Sequence, residues 1–471
     1  MRVRMFRGMF VVGLLGAGLA ARAQTTIDIE PGNGVTIASQ DGDTKINLGF
    51  YAQFRFQELK QDLWQRSDQT QTSPPYSVEN IGNSQPSFSV RRARLLAQGT
   101  LWKSWIGYKL EFDLAGNDEG LRNVIIPPIF TQGGTSDFPG VNLTAGPSDQ
   151  DGRTVKLLDL YADLAPRSYA RVRIGQFKIP FGRQELVSDN RLQMTSRSIA
   201  SDFFSPSRDR GVMFHGGTDS QRVQYKIGAW NGTGLAQAQN LDRSLGYAAR
   251  LTATTSGPFL DVEDVIDQPP SLGVRVQGGI AWYSSTNTPV RTSPQIAISD
   301  VRDSRYEADL GIFFMKRANL LLDYYTRRYE VDQGFDLPSS CYGAYVQGRF
   351  SCDQKGYTVQ AGVLLDQKAS HELSFRLSNI DNDKDLKDDS RREATINYAY
   401  YFFRHTMQVS VSISKFDIGV NAQGSSAFAM KTAKNAQGVP VSPADFLDPT
   451  AFPGLEGDKN WLGTVQFQWS F

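Results

Sequence analysis

WLGTVQFQWSF, residues 461–471, alternates apolar and polar side chains up to its last letter. Its apolar letters at alternate positions are Val465, Phe467, Trp469 and Phe471. Because successive side chains of a strand point to opposite faces, the segment predicts a strand with one apolar and one polar face. A soluble protein usually covers or blunts an edge strand of this kind. Two settings fit the pattern: the last strand of a soluble sandwich, or a strand of a membrane barrel.

The same alternation recurs along the chain, for example in KINLGFYAQFRF (45–56) and TMQVSVSISKF (406–416). About sixteen segments of roughly ten residues show it, which is the length of a tilted membrane strand. We therefore predict an all-β protein: a transmembrane antiparallel β-barrel of about 16 strands. The segments begin near residues 45, 88, 105, 155, 169, 211, 222, 244, 272, 305, 319, 355, 370, 392, 405 and 461.

The connectors between these segments alternate between short turns, such as WKSW and APRS, and long polar loops. Long extracellular loops at one rim and short periplasmic turns at the other are typical of outer-membrane barrels. SGPFLDVEDVIDQPPS (256–271) is long where a short turn is expected. It indicates either a periplasmic insertion or a wrong strand count. The long loops are residues 59–86, 115–153, 181–209, 331–353 and 418–460.

The N-terminal MRVRMFRGMFVVGLLGAGLAARAQ has an arginine-rich start, an apolar run over residues 8–20, and Ala-Arg-Ala at 21–23. This order predicts a secretory signal peptide over residues 1–23, cleaved before Gln24. The apolar run is shorter than the roughly twenty residues that a spanning helix needs. We therefore expect residues 24–43 to be a short periplasmic segment and residues 44–471 to be the barrel of the bacterial outer membrane.

Charge and cysteine content limit the partners. The chain has 50 Lys+Arg and 49 Asp+Glu. Removal of the predicted signal peptide, which holds four Arg and no acid, leaves a net charge of −3. This balance does not favour a nucleic-acid partner. Cys341 and Cys352 are candidates for a disulfide in an oxidising compartment, and their spacing matches no zinc motif.

Motifs of enzymes are absent from the sequence. The three histidines are scattered, and there is no HExxH, CxxC, GxSxG or Walker motif. We therefore predict no catalytic site, no cofactor and no metal site.

Basic side chains on the polar faces of the strands are the candidates for solute contact. Rings of Arg and Lys favour anions in a pore, and guanidinium groups suit phosphate. The alternative role is structural, because inward arginines also pair with acids on neighbouring strands. The candidate pore-lining or anion-binding residues, including those of the third long loop, are Arg55, Arg92, Arg94, Lys109, Arg171, Arg173, Arg183, Arg191, Arg197, Arg208 and Arg210.

The third long loop, residues 181–209, mixes arginines with apolar residues such as Leu192, Met194 and Phe204. An exposed loop would not carry so many apolar side chains. Two interpretations fit. In the first, the loop folds into the barrel, anchors its apolar side chains on the wall and presents arginines to the channel. In the second, it packs on a neighbouring subunit.

FSVRRARLLAQGTLWKSWIGYKLEFDLA (88–115), LDLYADLAPRSYARVRIGQFKIPFGRQELVS (158–188) and SRSIASDFFSPSRDRGVMFHGG (196–217) resemble the phosphate-selective porin O and P family. The resemblance runs from about residue 44 onward. It implies a sixteen-stranded outer-membrane porin that assembles as a trimer and has an inward-folded third loop. The family's arginine ladder and lysine cluster do not map here residue by residue, because residues 183–210 contain five Arg, four acids and no Lys.

The sequence therefore predicts passive diffusion of small hydrophilic solutes with a preference for anions, phosphate or polyphosphate. The alternatives are a general or sugar-preferring channel, an anchor or adhesin with a plugged lumen, and a surface hydrolase. The expected partners are outer-membrane lipid and lipopolysaccharide, small anionic solutes, two further copies in a homotrimer, and the barrel assembly machinery through the C-terminal strand.

Overall fold

The structure is a computed structural model that describes residues 25–30, 32, 34–61, 64–66, 78–80, 83–102, 105–115, 155–232, 234, 244–266, 273–287, 301–314, 317–331, 351–385, 389–418 and 460–471. The predicted signal peptide and most of the long loops lie outside these ranges. In chain order the strands are β1 (Thr25–Glu30), β2 (Gly34–Ser39), β3 (Lys45–Gln61), β4 (Trp64–Arg66), β5 (Val78–Asn80), β6 (Asn83–Leu101), β7 (Ile106–Asp113), β8 (Lys156–Arg167), β9 (Ala170–Lys178), β10 (Arg208–Gly217), β11 (Val223–Trp230), β12 (Gly246–Thr254), β13 (Val274–Asn287), β14 (Val301–Phe314), β15 (Ala318–Val331), β16 (Ser351–Leu364), β17 (His371–Asp381), β18 (Ser390–Phe403), β19 (Met407–Ile418) and β20 (Asn460–Ser470).

Sixteen of these strands, β3 and β6–β20, form a closed antiparallel barrel. Each pairs with the next one along the chain, and β20 pairs with β3 from Trp461↔Lys60 to Ser470↔Tyr51. The predicted fold class and strand number are confirmed. Because β3 and β20 pair with each other, neither strand has a free edge along this pairing. The alternating C-terminal segment is therefore the closing strand of a barrel, the second of the two settings that its pattern allows.

The polar faces of the strands point into the lumen, and the apolar faces point outward. On β20 the apolar Trp461, Val465 and Trp469 are 42–43% exposed, whereas Gln466 and Gln468 are buried. Strand β14 shows the same strict alternation of buried and exposed positions over fourteen residues. An exposed apolar face outside and polar groups inside is the inverse of a soluble protein, and it suits a barrel surrounded by lipid.

Within the described ranges, no helix is both long enough and apolar enough to cross a membrane.

Residues 25–39 form a hairpin that continues the barrel sheet. Strand β1 pairs with β2, and β2 pairs with the start of β3 from Val35↔Leu48 to Ala38↔Lys45. The described part of residues 24–43, which the sequence predicts to be a short periplasmic segment, thus pairs with the edge of β3 that β20 leaves unpaired. The bounds of this segment stay a prediction.

Tight turns join β8 to β9, β10 to β11 and β18 to β19 at one rim of the barrel, here the turn rim. The opposite rim, here the loop rim, carries the connection between β9 and β10. The connector between β12 and β13 is long although it starts at the turn rim. Because all sixteen strands are present, this connector is an insertion, and the interpretation as a miscounted strand is wrong.

Residues 179–207, here the inner loop, fold from the loop rim into the lumen. The inner loop contains α1 (Arg183–Leu186), a 3-10 helix (Asp189–Arg191) and α2 (Ile199–Phe204). Gly182 precedes α1 with φ of 67°, a conformation that favours glycine. The hydroxyl of Ser198 accepts a hydrogen bond from the Ser201 amide at 3.1 Å and caps α2.

Residues 255–266, here the inner connector, enter the lumen from the turn rim. Val262, Val265 and Ile266 are buried in one cluster with Phe313 of β14 and Leu321 of β15. The apolar residues of this connector therefore pack on the inner wall. The inner loop and the inner connector meet where the backbone N–H of Gln193 donates to Glu263 Oε2 at 2.9 Å.

Candidate functional site

The inner loop fills one side of the lumen. Its Phe204 ring stacks on Tyr325 of β15, with centroids 5.5 Å apart, and lies against the backbone of Gly356, where a Cβ would come within 2.4 Å. The Ile199 amide donates to Glu393 Oε2 on β18 at 3.0 Å. These contacts hold the loop against the wall formed by β14–β20. The apolar residues of the loop thus pack inside this chain, as the first interpretation of the sequence predicts.

The far end of the inner loop reaches the seam where β3 and β20 pair. Gln53 of β3 donates to the Asp189 carbonyl at 3.1 Å, and Gln468 of β20 donates to the Asn190 carbonyl at 2.7 Å. The loop therefore covers the inner face from β14 round to β3. The open part of the lumen lies against β6–β11.

A chamber of about 310 Å³ lies between the inner loop and strands β6–β11. The aromatic residues that line it are Tyr161 and Phe177. Its charged lining residues are Arg94, Lys109, Glu111, Asp159, Arg173, Lys178, Asp189, Arg208, Lys226 and Asp261, with His215 beside them.

Lys109 and Asp159 link three strands of the chamber wall. The ammonium of Lys109 on β7 lies 2.6 Å from both Glu111 Oε2 and Asp159 Oδ2. Asp159 on β8 also accepts from Arg208 Nε of β10 at 2.8 Å. Such inward pairs hold neighbouring strands together, in line with the structural role that the sequence left open.

The accessible charge of these pairs is basic. The side chain of Lys109 is 22% exposed, whereas those of its partners Glu111 and Asp159 are 7% and 6% exposed. Arg173 is 24% exposed, and its partner Asp163, 2.7 Å away, is 11% exposed. Arg173 lies over the Tyr161 ring at 4.1 Å, which orients its guanidinium along the wall. A solute in the chamber therefore meets the cations of the pairs, while their carboxylates lie behind.

Asp189 of the inner loop joins the loop to β6. Its carboxylate contacts Arg94 at 2.5 Å, Arg92 at 3.5 Å and Arg197 of the same loop. Burial raises the pKa of Asp189, but the positive charges of Arg197, Arg92 and Arg94 outweigh burial and hold the pKa well below its ordinary value. Three of the candidate arginines thus converge on one buried acid.

The structure divides the candidate residues into three groups. Arg94, Lys109, Arg173 and Arg208 line the chamber. Arg55, Arg92, Arg183 and Arg197 are buried in contacts that fix the inner loop; for example, Arg183 donates to Asp323 Oδ1 at 2.8 Å. Arg171 and Arg210 are half-buried, and Arg191 is exposed.

Two basic residues of the chamber, Lys178 and Lys226, were not among the candidates. Lys178 donates to the carbonyls of Glu185 at 2.6 Å and Val187 at 3.0 Å, and so ties β9 to α1. Lys226 lies at an inward position of β11, which strand alternation does indicate. Its importance depends on Asp261 of the inner connector, which sequence alone did not bring near it.

One of the two disulfide candidates, Cys352, lies at the loop-rim end of β16. Cys352, in β16, is disulfide-bonded. Cys341 lies outside the described residues, so the pairing of the two stays a prediction.

Residues 75–263 match the family model of phosphate-selective porin O and P. This match confirms the resemblance that the sequence motifs indicated, over the part of the chain that contains β6–β12, the inner loop and most of the chamber wall. Among curated proteins, none matches the chain.

Several solved outer-membrane structures resemble this porin-like chain at low identity. A loop L8 deletion mutant of OmpT of Vibrio cholerae and the anion-selective porin of Comamonas acidovorans each have 11% identity and a TM-score of 0.49. Each comparison covers 91% of this chain and 100% of the other. The outer membrane channel DcaP of Acinetobacter baumannii has 11% identity and a TM-score of 0.47, covering 92% of this chain and 99% of that one.

Proposed function

We propose that the protein is an outer-membrane porin through which small hydrophilic solutes diffuse passively, with a preference for anions. The porin family match and the closed barrel with an apolar outer face support the channel. The observation that carries the anion preference is the unequal exposure within the ion pairs of Lys109 and Arg173. These two cations present their charge to the passage, whereas their partners Glu111, Asp159 and Asp163 are more covered.

The chamber suits repeated weak binding rather than tight capture. Each exposed cation is already paired with a wall acid, so an anion gains a charge-assisted hydrogen bond without meeting an isolated charge. Ions pass through a pore when binding is favourable enough for entry and weak enough for exit. Phosphate and polyphosphate are the sharper proposal, because guanidinium and ammonium groups together match their oxygen atoms.

The alternatives have less support. A sugar-preferring channel needs a track of aromatic rings, and the chamber is lined by Tyr161 and Phe177 alone among the described aromatic residues. The inner loop narrows the lumen, as in an anchor with a plugged barrel. The chamber beside the loop nevertheless gives a solute a place to pass.

The proposed setting follows from the same reading. The signal peptide over residues 1–23 is cleaved, the barrel inserts into the bacterial outer membrane, and three copies assemble. The apolar outer faces then meet lipid and lipopolysaccharide, and the alternating C-terminal strand is the segment that the assembly machinery recognises.

The direct test of the proposed function is the reversal potential of the refolded protein in a planar bilayer under a KCl gradient. We expect the potential to have the sign of chloride preference, and millimolar phosphate to reduce the chloride current. A conductance without selectivity would leave a general porin, and no conductance at all would favour the anchor.

The double variant Lys109→Gln/Arg173→Gln is expected to lower the ratio of anion to cation permeability about twofold or more, because it removes two exposed cations from the wall of the chamber. The reversal potential measures this ratio. The matched control is Arg222→Gln, which removes a basic charge from the exposed β10–β11 turn, outside the lumen. An equal change in both proteins would contradict a role for the chamber.

A further inference from the structure

The inner connector carries three acids, and each faces a different partner inside the barrel. Asp261 Oδ2 lies 3.6 Å from Lys226 Nζ of β11. Glu263 and Asp264, the next acids along the connector, face the inner loop and the β18–β19 turn. The connector therefore spans the lumen near the turn rim and places an acid at the edge of the chamber.

Asp261 differs from the other acids that line the chamber. Its side chain is 28% exposed, whereas those of Glu111, Asp159 and Asp189 are 7%, 6% and 1% exposed. Its exposure instead matches that of its partner Lys226, at 21%. Asp261 is thus a negative charge that a solute in the chamber meets directly.

The rest of the connector holds Asp261 in this position. Glu263 Oε2 accepts from the Gln193 amide of the inner loop at 2.9 Å. Asp264 Oδ2 lies 2.7 Å from His405 Nε2 in the β18–β19 turn. Val262, next to Asp261, is buried in the apolar cluster on the wall. The position of the Asp261 carboxylate is therefore fixed by the residues that follow it.

We propose that Asp261 is a specificity-determining residue that limits the anion preference of the passage at its turn-rim end. The lining has six Arg and Lys side chains and four acids, an excess of two positive charges. Asp261 neutralises Lys226 where an anion leaves the chamber, so that the last cation does not retain it. Exit of a bound ion requires weak sites of this kind. This inference rests on the proposed function.

The variant Asp261→Asn tests the proposal, since it keeps the size of the side chain and removes its charge. We expect the ratio of anion to cation permeability to rise about twofold, because the lining then has an excess of three positive charges. We also expect phosphate to reduce the chloride current at a lower concentration than in the parent protein. The control Asp219→Asn removes an acid from the exposed β10–β11 turn and should leave both values unchanged.

A second variant separates a charge effect from a change in the position of the connector. Lys226→Gln should lower the permeability ratio, and the double variant Asp261→Asn/Lys226→Gln should return it close to the parent value. A double variant whose permeability ratio stays as high as that of Asp261→Asn alone would indicate a displaced connector and overturn the proposal.

The outcomes also distinguish this inference from the proposed function. A parent channel that prefers anions, together with an unchanged ratio in Asp261→Asn, would overturn the role of Asp261 and leave the porin intact. A parent protein without anion preference would overturn both.

Discussion

Asp189→Asn is expected to enlarge the single-channel conductance about twofold or more, because the inner loop detaches from β6 and widens the passage. Asp189 is 2% exposed and contacts Arg92, Arg94 and Arg197. Removing one partner of a buried charge network costs about 3–5 kcal/mol, since the remaining charges stay buried without compensation. Arg94 keeps Glu111 and Asp113, but the connection between the loop and Arg92 is lost.

Conductance in KCl and the temperature of unfolding would be measured side by side for this variant. Ser188→Ala is the matched control: it is the preceding residue, it is exposed, and its hydroxyl donates to Asn190 at 2.7 Å. A conductance equal to that of the control, with an unchanged unfolding temperature, would mean that the contacts of α1 and α2 alone hold the loop.

Arg250→Met is expected to destabilise the barrel wall by about 3–5 kcal/mol, the cost of breaking a buried ion pair from one side. Arg250 of β12 lies 2.7 Å from Glu307 Oε2 and 2.5 Å from Asp309 Oδ2 on β14, and all three side chains are 0% exposed. Its loss leaves two neighbouring carboxylates of β14 in the packed lumen, with Arg183, 3.5 Å from Asp309, as a remaining cation. Methionine fills similar space without a charge, so the effect isolates the ion pair.

The control for Arg250→Met is Arg302→Met on β14. Arg302 pairs with Glu330 at 3.0 Å, but the two side chains are 50% and 36% exposed. A surface pair of this kind contributes about 0–1 kcal/mol. Urea unfolding of the refolded protein, followed by the loss of heat-resistant gel mobility, compares the two. Similar midpoints for both variants would contradict the difference that we assign to burial.

The barrel itself could be predicted from the sequence because its signal is local. Two neighbouring residues of a strand reveal which face is apolar, and turns punctuate the pattern. The starts predicted near residues 105, 155 and 169 therefore lie within one residue of β7, β8 and β9. The ends of strands are harder to predict where they depend on pairing with a neighbouring strand. Strand β6 begins at Asn83, five residues before the start of the alternation, because β3 continues to Gln61 and supplies it with partners.

The candidate site could be predicted only in part because charge partners are not local. The alternation places Arg92 and Arg94 inward. The acid that both of them contact is Asp189, which lies almost a hundred residues later, in the inner loop. The sequence also contains Asp261, within a segment of unexpected length. Its contact with Lys226 depends on the way the inner connector packs across the lumen, which no periodic pattern encodes.

The inner loop covers the inner wall from β14 to β3. This covering has a consequence for the substitutions that the barrel tolerates. Inward positions on this side, such as Ser378 and Thr358, touch loop atoms and never meet a solute. We expect substitutions at these positions to act mainly on the expression and the folding yield of the protein. Inward positions on β7–β11, such as Lys109 and Lys226, face the passage. We expect substitutions there to alter the uptake of solutes. Polar residues around one circumference of the lumen are thus expected to differ in whether their substitution affects folding or permeation.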